Sequence, residues 1–280
     1  MRIRKLSIVA LVLCLGLVLG ACNISFGGVN IGVGAERGSG NVVEQVTPID
    51  EGEGFALVVQ DFQFMGNFRF SPLIVIDENL EHGEIIIATD DNFVERIDVS
   101  QRGERIVIRG DRGLRMTPTE MTIYVGVPII DLDVGGAWDV TLECNRVTEF
   151  RADLSGASSG EFVLGALERL EIRLSGASDA TFALGDGALE HVEARLSGAS
   201  DITLQGYAYE AELHASGASD IRAFDLVAER AVVNASGASD IRITATESLD
   251  ITASGASDVT FDGNPRISQS ASGASSVRSR

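Results

Sequence analysis

The sequence predicts an all-β chain built as a parallel β-helix-like solenoid with coils of about 20 residues. Two observations predict it. The tetrapeptide Ser-Gly-Ala-Ser begins at Ser155, Ser175, Ser197, Ser216, Ser236, Ser254 and Ser272, at intervals of 20, 22, 19, 20, 18 and 18 residues. Between these corners, inward and outward residue types alternate. Leu170, Ile172 and Leu174 are interleaved with Glu171 and Arg173; Ala180, Phe182 and Leu184 follow, interleaved with Thr181 and Ala183. A period of two is strand periodicity, and no unit carries an apolar stripe of helical period. A leucine-rich repeat of similar length would show its own consensus and ladder Asn, which are missing.

The chain opens differently. Arg2, Arg4 and Lys5 precede an apolar run from Leu6 to Leu19, which is too short to read as a membrane-spanning helix. Leu19-Gly20-Ala21-Cys22 follows and resembles the lipobox of bacterial lipoproteins. The resemblance implies cleavage before Cys22 and its acylation. Residues 1–21 are then a signal peptide and 22–41 a Gly-rich tether. The body would be lipid-anchored to a bilayer of the cell envelope, on the outer membrane or the outer face of the cell membrane. Cys14 would leave with the signal. Cys144 alternates with Val140 and Leu142 and reads as a buried core thiol, so no intramolecular disulfide is expected. The formal charge is -19, and -22 once the three basic signal residues are gone. That excludes nucleic acid as a partner and excludes a polybasic grip on membranes, while leaving room for cation binding.

Residues 42–130 are β-rich but less periodic, with strands expected at Phe55–Gln60, Leu73–Asp77, Ile85–Ala88, Arg105–Arg109 and Met121–Val127. They form either a cap or an irregular continuation of the solenoid; an uncovered end would expose unpaired strand edges. Phe62–Phe70 reads as a loop.

Residues 131–280 hold the repeats, and Gly135-Gly136-Ala137-Trp138-Asp139 is a degenerate earlier copy. One inward column runs Leu154, Leu174, Leu196, Ala215, Ala235, Ala253, Ala271, so the interior narrows toward the C-terminus. Gly at each corner permits positive φ or close packing, Ala beside it suits a tight interior, and the serine hydroxyls can bond to corner backbone. Directly after the corners come Asp179, Asp201, Asp220, Asp240 and Asp258, with Ser159 and Ser276 as the end equivalents. Stacked in register, these carboxylates stand about 4.8 Å apart and repel. Three things can offset that: Arg222 and Arg242 on the same face, hydrogen bonds from corner N–H groups, or Ca²⁺ bridging between coils. The ladder is thus the candidate ligand or cation site, although the nonapeptide of Ca²⁺-binding β-rolls is absent. Glu171, Glu193 and Glu212 would stack beside Arg173, Arg195 and His214, with diagonal cross-coil pairing.

Arg37-Gly-Ser-Gly-Asn-Val-Val-Glu44, Tyr124-Val-Gly-Val-Pro128 and the repeated LSGASDI-like units together resemble the GIN domain, a family described as an auto-transporter adhesin head domain. The resemblance spans roughly residues 42–260. It implies a right-handed parallel β-helix on the cell envelope. No P-loop, HExxH, GxSxG or paired-Cys motif is present, and His82, His191 and His214 share no metal-ligand spacing. The function expected is therefore non-enzymatic surface or glycan binding, with Thr181, Thr203, Thr260, Tyr207 and Tyr209 available to sugars. Two alternatives stay open. One is a scaffold whose C-terminal end pairs with another protein or a second copy; the other is a polysaccharide lyase or hydrolase.

Overall fold

A computed structural model describes residues 35–65, 71–77, 83–145, 147–185, 187 and 189–280. Cys22, the signal segment and His82 lie outside the described residues. Ala35–Arg280 form one compact unit that contains the whole described core.

The strands run in order β1 (Glu36–Arg37), β2 (Val42–Pro48), β3 (Phe55–Gln60), β4 (Gln63–Phe64), β5 (Leu73–Asp77) and β6 (Glu84–Asp90); after a single helical turn α1 (Asp91–Val94) come β7 (Ile97–Arg102), β8 (Arg105–Gly110), β9 (Arg115–Thr117) and β10 (Met121–Val125). The repeats supply β11 (Ile129–Gly136), β12 (Asp139–Cys144), β13 (Glu149–Gly156), β14 (Ser159–Leu164), β15 (Arg169–Leu174), β16 (Asp179–Leu184) and β17 (Leu189–Leu196). Three long bent strands follow, β18 (Asp201–Ala215), β19 (Asp220–Ala235) and β20 (Asp240–Ala253), then β21 (Asp258–Asp262), β22 (Arg266–Ala271) and β23 (Ser276–Ser279).

Two parallel faces result. On one, β12, β14, β16 and the first halves of β18, β19 and β20 stack on β21 and β23. On the other, β11, β13, β15, β17 and the second halves of the long strands stack on β22. The inward column is the one expected, Leu154 through Leu174, Leu196, Ala215, Ala235 and Ala253 to Ala271, and every member but Ala271 is buried. It extends the other way through Val134 and Val59 to Ile108. Large side chains fill the wide end: the Phe162 and Phe182 rings stack 4.4 Å apart at 7°. Cys144 is buried among them, as its alternation predicts.

Residues 42–130 both continue the stack and close it. β3 and β5 make a coil lying directly against β11 and β12. β8 and β10 make a further coil outside it. The edges beyond are sealed by antiparallel strands, β7 on β8, and β6 on β10 with β2 on β6. Chain order and stacking order differ here, because the earlier strands β3 and β5 sit between β8 and β10 on one side and β11 and β12 on the other. A short third side, β1–β9–β4, stands where the later coils have their serine corners. Gln63–Phe64 is thus a strand inside the segment expected to be loop. The expected tether also ends sooner. Glu36–Arg37 pairs with β9, Arg96 bonds Glu36 at 2.6 Å, and Gly40 N–H donates to the buried Asp90 carboxylate at 2.8 Å.

Candidate functional site: the serine corner and its groove

At each corner three backbone N–H groups point at the coil below. Ser197, Ala199 and Asp201 N–H donate to the carbonyls of Leu174, Gly176 and Ser178 at 3.0, 2.8 and 3.0 Å. The same set recurs coil after coil. Corner N–H groups are therefore spent on the stack and do not bind the ladder carboxylates. Gly198 has φ 84°, and a Cβ there would lie 2.5 Å from Gly176 O, so glycine is required twice over. The second serine points inward and is fully buried at every corner but the last, where Ser275 is half-buried. Ser219 Oγ donates to Ser216 O at 2.9 Å, and Ser178, Ser200, Ser239 and Ser257 do the same to the carbonyl three residues back. A buried hydroxyl with that bond is satisfied. The corner Ala corrects the sequence reading. Ala157, Ala177, Ala199 and Ala218 are exposed. The positive-φ glycine carries the apex outward, and the chain re-enters at the second serine.

The five ladder aspartates do stack in one column, Asp179–Asp201–Asp220–Asp240–Asp258, with Ser159 and Ser276 at the expected ends. Asp139 extends it beyond Ser159, a member the degenerate copy at 135–139 signalled by its spacing alone. The repulsion is met on the face itself. Arg222 Nη2 bridges Asp201 at 3.2 Å and Asp220 at 3.0 Å. Arg242 reaches Asp240 at 3.9 Å and Arg278 reaches Asp258 at 3.2 Å. Ser159 and Ser276 hydroxyls donate to Asp139 and Asp258. The Ser276 hydroxyl, and after it Arg278, hold Asp258 below the usual carboxylate range. These pairs are exposed, so each contributes little to stability.

The other face carries Glu171–Glu193–Glu212 beside Arg173–Arg195–His214, in register. Pairing there runs along each strand and not diagonally between coils. Arg173 bonds Glu171 at 2.5 Å, Arg195 bonds Glu193, and His214 Nε2 stands 3.7 Å from Glu212. Two residues apart on one strand is a shorter reach than the diagonal, and so it wins. Cross-coil pairs occur further along, where Arg230 bonds Glu210 at 3.0 Å.

Where this face meets the serine corner, the surface folds into a groove of about 620 Å³. Arg173, Arg195, His214, Asn234 and Thr252 form one wall, with Asp153 at the end. Ser175, Ser197, Ser216, Ser236 and Ser254 form the other, over a floor of Leu174, Leu196, Ala215 and Ala235. It crosses six coils, roughly 24 Å at ordinary strand spacing. The ladder aspartates do not line it.

Tyr207 and Tyr209 sit together in the middle of β18 and do not line the groove, with rings 5.8 Å apart. The Tyr207 hydroxyl donates to Glu229, which pushes the phenol up to about 12. A raised folded-state value means that this contribution is complete below about 10 and lost as pH rises toward 12. Absorbance titration at 295 nm is expected to show a phenol phase near pH 12 that disappears in Tyr207→Phe; an unchanged titration curve would refute the Tyr207–Glu229 bond.

An in-register stack of parallel coils with a capped end and an elongated groove along one corner belongs to the class of parallel β-solenoids. The chain is a member of the head GIN domain family, whose model, "Putative auto-transporter adhesin, head GIN domain", matches residues 74–265. No curated protein matches the chain. Among solved structures, a "putative adhesin" from Parabacteroides merdae has TM-score 0.71 at 15% identity, covering 88% of this chain and 99% of its own. A "Putative lipid binding protein" from Parabacteroides distasonis has TM-score 0.74 at 19% identity, covering 88% and 100%. A "putative adhesin" from the same species has TM-score 0.66 at 15% identity, covering 87% and 99%. At these identities the likeness establishes the fold. The family is surface- or envelope-associated in character.

Proposed function

We propose that this protein is a non-enzymatic envelope lipoprotein, anchored through acylated Cys22, whose solenoid binds an extended surface polysaccharide in the groove beside the serine corner. The groove carries the reading. It is long and offers serine, Asn, Thr and Arg groups on successive coils, at one coil spacing. Such a site matches a chain of sugar rings better than a compact metabolite. The family description and the basic–apolar–Cys start support the address. A binding role is favoured over a lyase or hydrolase because the arginines of the ladder face are drawn to neighbouring carboxylates. The test is a polysaccharide and whole-cell panel, read as equilibrium binding. Saturable binding to at least one glycan is expected, reduced tenfold or more by combined Arg195→Ala and Asn234→Ala and unchanged by Asp201→Asn on the ladder. Absence of saturable binding, or equal binding by the groove variant, would refute it. A scaffold reading draws on β22, whose six residues are all exposed, with Ile267 45% exposed. It requires a concentration-dependent oligomer in sedimentation.

A further inference from the structure

One group of side chains beside the groove has metal-ligand chemistry. Glu193 and Glu212 are neighbours in the outward column, and His214 lies two residues beyond Glu212 on the same face. Their ligand-capable atoms all lie within 4.8 Å of one another. His214 Nε2 is shielded from solvent and makes no hydrogen bond, and Glu212 Oε2 at 3.7 Å is beyond hydrogen-bond reach. A buried nitrogen left this way is costly to the fold. Arg195 is engaged with Glu193 through Oε1. Among the described residues, no Arg or Lys pairs with Glu212.

We propose that Glu193, Glu212 and His214 bind one divalent transition ion of the zinc class. An imidazole with two carboxylates is a zinc donor set; calcium takes oxygen ligands alone. Two ligand atoms about 2.1 Å from one zinc at a tetrahedral angle stand roughly 3.4 Å apart. The 3.7 Å between His214 and Glu212 therefore needs only a small closure. Glu193 comes in by side-chain rotation from the neighbouring coil, keeping its other oxygen for Arg195. Three protein ligands leave one coordination position for water or for an oxygen of whatever occupies the groove. Two stacked carboxylates and an unpartnered nitrogen are then satisfied together.

The test needs no glycan, so it succeeds or fails independently of the polysaccharide reading. Residues 35–280 form the compact unit and hold a single cysteine, the buried Cys144, which keeps stray thiols out of the titration. Calorimetric titration with Zn²⁺ is expected to give one ion per chain, and Ca²⁺ no heat at the same site. His214→Gln and Glu212→Gln should each weaken zinc at least tenfold with an unchanged circular dichroism spectrum, while His191→Gln and Asp201→Asn leave it unaltered. Cu²⁺ bound in its place should show coupling to one nitrogen that His214→Gln removes. No zinc uptake by the wild-type unit would overturn the proposal. So would uptake indifferent to both His214→Gln and Glu212→Gln, or a copper spectrum without the nitrogen.

Discussion

Replacing Gly217 by Val is expected to lower the melting midpoint by about 6–12 °C, from a loss of about 3 kcal/mol. Gly217 has φ 80°, which a β-branched residue adopts only under strain, and a Cβ there would meet Gly198 O at 2.5 Å. That oxygen accepts the N–H of Ala218 at 2.8 Å, so relief by moving it breaks the bond between coils. The neighbouring Ala218 is exposed, and Ala218→Val should change stability by no more than about 0.5 kcal/mol. Differential scanning calorimetry on the two variants decides it. Equal melting points would sink the account of the corner given above.

The second large effect is expected at Trp138. Its ring is fully buried and meets the edges of Phe62 and Phe64, each centroid 5.0 Å away. Those phenylalanines belong to the coil 55–77, so Trp138 pins that coil to the first repeat. Trp138→Ala should cost about 3–5 kcal/mol. Trp138→Phe should cost less than about 1.5 kcal/mol, because the indole N–H it removes has no hydrogen-bond partner to lose. Chemical denaturation of both variants gives the ordering. A Phe variant as damaged as the Ala variant would mean that the indole nitrogen has a role beyond packing.

Much of the fold was legible because the repeat writes its register into the spacing. The column from Leu154 to Ala271 and the aspartate ladder both follow from counting between corners. Period-two alternation likewise located the strands at Phe55–Gln60 and Leu73–Asp77. What counting missed is non-periodic. Nothing in 42–130 announces that 55–77 lies inward of 105–125, since that order comes from pairings between segments distant along the chain. The exposed corner Ala was hidden by its apolar type; its direction is decided by the positive φ of the glycine before it. Glu193, Glu212 and His214 were visible as stacked columns but not as a cluster, because the 19-residue interval between the two glutamates crosses a coil. The groove was not legible at all. It arises where two surfaces meet at an angle, and no single strand encodes that angle.

The transposed coil has a mechanical consequence. A pull delivered from the N-terminal side arrives first at Glu36–Arg37, Gly40 and the edge strand Val42–Pro48, which hold on one flank only. The next pair of strands along the chain, β3 with β5, is clasped on both flanks, by β8 and β10 and by β11 and β12. It cannot be drawn out like the end of a thread from a spool, because later turns lie on either side of it. Tension applied on the N-terminal side thus meets a locked turn before it reaches the serine corners, and the groove beside them is insulated from the line of force.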